Sequence, residues 1–167
     1  MKLESIKEGT YTGDIAKTLV KNAEGFSSLI YIDTLGNDTI GYGFNLTDVV
    51  SKGFLPPDIK QITLLDADLI LEKLLRNIYN SINGDASLRM IFAKQCPTVQ
   101  AVFVDMIYDL DIDGFTGFRT FLHYMNNLKY NYAVVDLTNS LWYSQVKSRA
   151  IRNCFIILSH SSSLYLI

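Results

Sequence analysis

Histidine is nearly absent from this 167-residue chain: His123 and His160 stand far from one another. The two cysteines, Cys96 and Cys154, share no CxxC spacing and have no histidine cluster beside them. Zinc and redox-pair chemistry therefore have no sequence basis, and buried free thiols are the expected state. No apolar run reaches the roughly 18 residues of a membrane span, which excludes stable membrane insertion through a helix. The opening MKLESIKEGTYTGD carries no apolar stretch of the kind a signal peptide needs. Synthesis and retention in the cytoplasm are therefore expected unless a separate protein provides release. Lysine and arginine are sparse and form no run, so nucleic acid is excluded as a partner. The chain shows neither an internal repeat nor a low-complexity linker.

What is present is apolar. Hydrophobic residues make up 49% of the chain and aromatics 12%, enough for a packed core. The net charge of −2 hides an asymmetry. Residues 1–114 hold ten Lys/Arg against sixteen Asp/Glu, or −6, and residues 115–167 hold five against Asp136 alone, or +4. The basic half is either a face for an anionic polymer or an uneven solvated surface.

Periodicity predicts a mostly helical chain with one β-hairpin. Residues 1–13 read as an extension. Asp14 is a candidate N-cap for a short helix over 14–23 that delivers Glu24 at its C-terminal end, with Gly25 as the stop. Leu29 to Ile32 reads as a strand, Thr34 to Asp38 as a turn, and Thr39 to Gly43 as the returning strand. Thr63 and Asp66 form a capping box for an apolar helix over about 64–82, close to 30 Å long at ~1.5 Å per residue. Five further helices are expected: 87–94, 97–110 opened by Pro97, 115–128, one capped by Asn131, and 147–158. The tail after His160 reads as peripheral.

The stretch Glu24 to Thr47, EGFSSLIYIDTLGNDTIGYGFNLT, organises the rest. It places one carboxylate at a helix end, and a second, Asp33, with Thr39 at the base of the two hairpin arms facing that end. Two carboxylates and a hydroxyl at one cleft suit acid–base hydrolysis of a glycosidic bond. The pattern Glu-Gly, seven residues, Asp, five residues, Thr-Ile-Gly-x-Gly resembles the phage-type lysozymes, the endolysin muramidases that cut peptidoglycan. The likeness continues in Asp105-Met-Ile-Tyr-Asp-Leu110 with Gly114-Phe115, in Asn139-Ser-Leu-Trp-Tyr-Ser-Gln145, and in Ser148-Arg-Ala-Ile-Arg152. It spans about Ala16 to Asn153.

The resemblance implies an α+β, lysozyme-like fold in a single domain over 14–167. A small hairpin lobe (about 25–63) is joined by the 64–82 helix to a helical lobe (about 83–167, with helix 14–23). It implies hydrolysis of the β-1,4 bond between N-acetylmuramic acid and N-acetylglucosamine, without cofactor or metal, by a monomer acting on peptidoglycan strands. Glu24 would be the general acid, Asp33 and Thr39 would position the attacking water, and Arg149 would orient Glu24. Gly43, Asn45, Tyr108 and Asp109 match positions that meet substrate, and Trp142 is expected in the core. The family inverts at the anomeric carbon. An endolysin role implies a holin-type release protein. The alternatives are an antibacterial toxin with an immunity partner, or a non-catalytic glycan- or protein-binding module of the same fold.

Several positions depart from the family pattern. Phe44-Asn45 replace the usual histidine and apolar residue after Gly43, so packing must substitute for the histidine and the cleft edge changes. Leu141 stands for an arginine and Ser148 for an asparagine. Asp109-Leu-Asp-Ile-Asp-Gly114 imitates the start of a calcium loop, but position twelve is Thr120, which favours a plain turn. Asp111, where relatives usually place glycine, is expected in a left-handed backbone conformation.

Overall fold

A computed structural model describes residues 11–161. Most of the N-terminal extension and the last six residues of the tail therefore lie outside the described residues. The first helix, α1 (Tyr11–Glu24), starts before Asp14, which occupies its first turn instead of capping it. The chain then forms β1 (Ser27–Ile32), β2 (Asp38–Gly41) and β3 (Phe44–Asn45), an antiparallel sheet in that order. The third strand was not anticipated, being only two residues long. Helices α2 (Leu46–Ser51), α3 (Leu64–Gly84), α4 (Ala86–Ala93), α5 (Pro97–Thr116), α6 (Arg119–Asn126), α7 (Tyr130–Thr138), α8 (Leu141–Gln145) and α9 (Lys147–Ser161) follow. This is the α+β, lysozyme-like arrangement, mostly helical with a small sheet.

The expected caps of α3 are in place: Thr63 accepts from the Asp66 amide, and Asp66 accepts from the Thr63 amide. Ala67, Ile70, Leu71, Leu75, Tyr79 and Ile82 bury one face of α3, while Leu64, Leu65 and Leu69 stay exposed. The helix packs on α1, α4 and α5. At α7 the expected Asn131 cap gives way to Lys129, whose side chain makes no cap hydrogen bond. In the helical lobe Phe103, Phe115 and Phe121 meet with ring centroids 5.1 to 6.3 Å apart. α5 is buried nearly all round, from Val99 to Ile107. Cys154 is buried, Cys96 only partly, and both are free.

The expected helix over 115–128 is divided. α5 runs on to Thr116 through a kink at Asp111, and α6 begins at Arg119. Asp111 has φ 61° and ψ 176°. This is the mirror-extended region, normally reserved for glycine, and not the left-handed helical conformation expected. Its Oδ1 accepts from the Gly114 amide at 2.8 Å, which caps the helix that restarts after the kink. Such a conformation costs about 1–3 kcal/mol, and glycine caps almost as well as aspartate. Asp111→Gly is therefore expected to stabilise the fold by about 1 kcal/mol, after its own extra chain entropy is counted. A urea midpoint that does not rise would contradict this.

Phe44 shows how packing substitutes for the missing histidine. It is 2% exposed, meets Tyr42 edge-on at 6.1 Å, and fills the space over Gly41. A Cβ on Gly41 would come within 2.5 Å of the Phe44 ring, and φ there is +68°. Tyr42 in turn donates to Asp68 (3.0 Å), which pairs with Lys21 (2.6 Å) and so ties the sheet to α3 and α1.

Candidate active site

Glu24 is the last residue of α1, and Gly25 (φ +67°) ends the helix there, as the sequence predicts. A helix C-terminus disfavours an ionised carboxylate. Arg149, 8% exposed on α9, donates from Nη1 to Glu24 Oε1 at 2.6 Å and to Asp109 Oδ1 at 3.0 Å. The other edge of its guanidinium grips Asp105, with Nε to Oδ2 at 3.1 Å and Nη2 to Oδ1 at 2.9 Å. Asp105 is 0% exposed and also accepts from Arg152 Nη2 and Asn153 Nδ2, each at 2.8 Å. Asp105, Arg152 and Asn153 were not picked out from the sequence as site residues.

The cluster holds three carboxylates, Glu24, Asp105 and Asp109, against two guanidiniums. A proton on Glu24 would balance the charges. Burial raises the Glu24 pKa first; Arg149 opposes it, and the charges of Asp109 and Asp105 add to the rise. The net direction is upward. Burial also works against the Arg149 cation, but its bonds to Asp105 and the three nearby carboxylates keep it protonated above its ordinary value.

Asp33 stands at the turn end of the hairpin, one residue beyond the Ile32–Asp38 pair. Thr39, paired with Tyr31, lies next to the same end, so the reading that put both residues at the base of the arms is corrected. Asp33 Oδ1 accepts from the amides of Leu35 (2.9 Å) and Asn37 (2.8 Å), and Oδ2 accepts from Asn37 Nδ2 at 3.2 Å. The backbone bond from Asn37 leads in lowering its pKa, and weak desolvation does not reverse this. Glu24 and Asp33 are thus driven in opposite directions, the first up and the second down.

Thr39 is buried, and its hydroxyl donates to the Asn37 carbonyl at 3.1 Å. Its oxygen lone pairs therefore remain as acceptors. Thr39 pairs with Tyr31 on one side and Asn45 on the other, so all three side chains share one sheet face. Tyr31 was not singled out in the sequence. Its phenol pKa is raised by burial and then by the charges of Glu24 and Asp33.

The remaining expected contacts divide. Gly43, Asn45 and Tyr108 line a cleft of about 390 Å³ between the α2–β3 edge, α3 and α5. Tyr108 donates to the Tyr42 carbonyl at 2.7 Å, and Asn45 spends its side-chain oxygen capping α2 at the Asp48 amide. Asp109 is placed differently from its expected role on the cleft wall. Its oxygens are taken by Arg149 and by Trp142 Nε1 (2.6 Å), so it supports Arg149 instead. Trp142 is 4% exposed. Among the described residues no group of histidine, cysteine and carboxylate side chains has the arrangement of a metal site.

Gly43 has φ +72°, and a Cβ there would lie 2.5 Å from Glu24 Oε2. In Gly43→Ala the flexible carboxylate would have to move. A displacement near 1 Å can cost about 100-fold in rate. We expect a drop of that order in kcat with a stability loss of only about 1–2 kcal/mol from the backbone strain. Assay and melting of the same preparation check both.

A helical lobe, a three-stranded small lobe and a guanidinium-anchored carboxylate at their junction define a lysozyme-like protein. No family model matches the chain. The chain is similar to the probable T4-type lysozyme 2 of Dictyostelium discoideum, 24% identical over 151 residues, covering 81% of this chain and 89% of that protein. The probable T4-type lysozyme 1 of the same organism is 21% identical over 164 residues, covering 89% and 96%. The pre-baseplate central spike protein Gp5 of Enterobacteria phage T4 is 25% identical over 161 residues; these cover 88% of this chain but 28% of Gp5. The resemblance to the phage-type lysozyme family is thereby shown.

Proposed function

We propose that this protein is a muramidase that hydrolyses the β-1,4 bond between N-acetylmuramic acid and N-acetylglucosamine in peptidoglycan. The observation that carries the reading is Glu24 at the end of α1, held by Arg149 at 2.6 Å against Gly43, with burial biasing its carboxyl upward. Glu24, oriented by Arg149, protonates the leaving glycosidic oxygen. Water held by the Asp33 carboxylate and the Thr39 oxygen attacks the anomeric carbon from the other face, which inverts its configuration. The tool kit needs no cofactor. The chain acts as one lysozyme-like domain, and in this reading the strand reaches Glu24 past Gly43, which touches that carboxylate and also lines the 390 Å³ cleft. In this reading its biological role is lysis of the bacterial cell wall.

Digestion of purified peptidoglycan followed by mass analysis tests the reaction. Fragments with a free reducing end are expected. Fragments ending in a 1,6-anhydro ring, or none at all, would overturn the proposal. The rate profile should be bell-shaped, with its alkaline limb set by Glu24 above the usual carboxylate range and its acid limb set by Asp33 below it. A pH titration of kcat/KM checks both limbs, and an alkaline limb at or below an ordinary glutamate value contradicts the assignment.

A further inference from the structure

Arg152 makes no hydrogen bond to Glu24, yet it grips both structures that hold that carboxylate in place. It lies one turn beyond Arg149 on α9, so the two guanidiniums share a helix face. Nη1 donates to the Leu19 carbonyl of α1 at 2.9 Å, five residues before Glu24. Nη2 donates to Asp105 Oδ2 at 2.8 Å, the same oxygen that accepts from Arg149 Nε at 3.1 Å. Nε and Nη2 also donate to Asn153 Oδ1, at 3.2 and 3.1 Å. Helix α9 therefore reaches α1 at two points, the Glu24 side chain through Arg149 and the backbone through Arg152.

The charges make the second point matter. Asp105 is 0% exposed, and a buried anion persists only when cations and donors match it. Arg149 and Arg152 together face Glu24, Asp105 and Asp109. With Arg152 gone, Arg149 would face all three carboxylates alone. The other groups around Glu24 supply no replacement. Tyr108 on α5 and Tyr31 on β1 are phenols kept protonated by burial and by the charge of Glu24. Lys21, on α1 itself, is turned to Asp68.

We propose that Arg152 is a positioning residue for Glu24, fixing the end of α1 against the Asp105 anchor and sharing that anchor's charge with Arg149. The consequence for the rate rests on the hydrolase reading of Glu24; the tie itself does not. Two effects are separable. Loss of the cation makes the cluster more negative, so Glu24 should keep its proton to higher pH. Loss of the arm on Leu19 loosens α1 against α9, so Glu24 should be less well aimed, which lowers kcat and spares KM. Arg152→Gln removes the charge. Arg152→Lys keeps it but offers one nitrogen where the fork had several. The side chain is 26% exposed, so water can solvate either replacement.

The test follows the Glu24 carboxyl by carbon NMR across a pH titration. Its signal is assigned by its loss in Glu24→Gln, among four glutamates, Glu4, Glu8, Glu24 and Glu72. In Arg152→Gln the midpoint should rise by about half a pH unit, less than the roughly one to three that an opposite charge in direct contact gives. In Arg152→Lys it should return near the wild-type value, while kcat on peptidoglycan stays down about tenfold at unchanged KM. A merely structural arginine would lower melting in both variants and leave the midpoint in place; that result overturns the proposal. So does an Arg152→Lys protein with undiminished kcat, which decides alone where Arg152→Gln does not fold. A midpoint that moves as expected, in a protein whose wild type cuts nothing, sinks the hydrolase reading and leaves the tie standing. A wild type that cuts, with an unmoved midpoint in Arg152→Gln, does the reverse.

Discussion

Replacing Asp105 with alanine is expected to cost about 3–5 kcal/mol of stability, the scale for removing one partner of a buried ion pair. Asp105 has no solvent exposure, and its carboxylate accepts four side-chain hydrogen bonds from Arg149, Arg152 and Asn153. Deleting it leaves Arg149, itself 8% exposed, with two of its five N–H donors unmet and one anion fewer to balance it. Set against total stabilities of about 5–15 kcal/mol, that loss is large. Urea unfolding should show a lower midpoint with an unchanged slope. Activity should fall further than folding explains, because Arg149 would no longer be anchored while it orients Glu24. A loss below about 1 kcal/mol would show that water replaces the carboxylate and that the clamp is looser than its distances indicate.

That clamp also shows where the sequence could be read and where it could not. Glu24, Asp33, Thr39 and Gly43 were visible because they lie within twenty residues of each other, on a helix end and a hairpin whose local signals are strong. Glycines at 25, 41 and 43 take positive φ values that those turns require. Arg149 was reached only through a resemblance, since its partner Glu24 is 125 positions away. Asp105 and Asn153 gave no such signal. Each is a polar residue on a helix, and only the packing of α5 against α9 buries them together. An Asp105 amid Val102, Phe103, Val104 and Met106 was, in retrospect, a usable clue, because an isolated charge in a fully buried helix must be paired. Asn45 could be aligned with Thr39 only once the third strand was known, and Tyr31 only once the hairpin register was fixed. The kink at Asp111 was half legible: the positive φ was expected, but ψ depends on how the chain turns from α5 toward α6.

The second large effect concerns Glu24 itself, where function and stability should move in opposite directions. Glu24→Gln keeps the shape and an oxygen for Arg149 Nη1 but has no proton to deliver. General acid catalysis contributes typically about 10²–10⁴-fold, so activity should fall by that order. Stability should rise at neutral pH. The folded-state pKa of Glu24 is raised by burial against the pull of Arg149, so the native protein binds this proton more tightly than the unfolded chain does. Stability from that proton is fully present below the unfolded value and is lost as pH climbs through the folded one. Glutamine carries no such proton and escapes the loss. Its advantage over the wild type should therefore be smallest in acid, grow across the window above the ordinary value of 4.5, and level off beyond the folded pKa. Thermal melts of both proteins between acid and neutral pH measure this directly. A variant that loses activity and melts lower at neutral pH would mean that the Arg149 ion pair outweighs desolvation, and that Glu24 rests ionised. In that case the proton donor in the reaction would have to be sought elsewhere in the cleft.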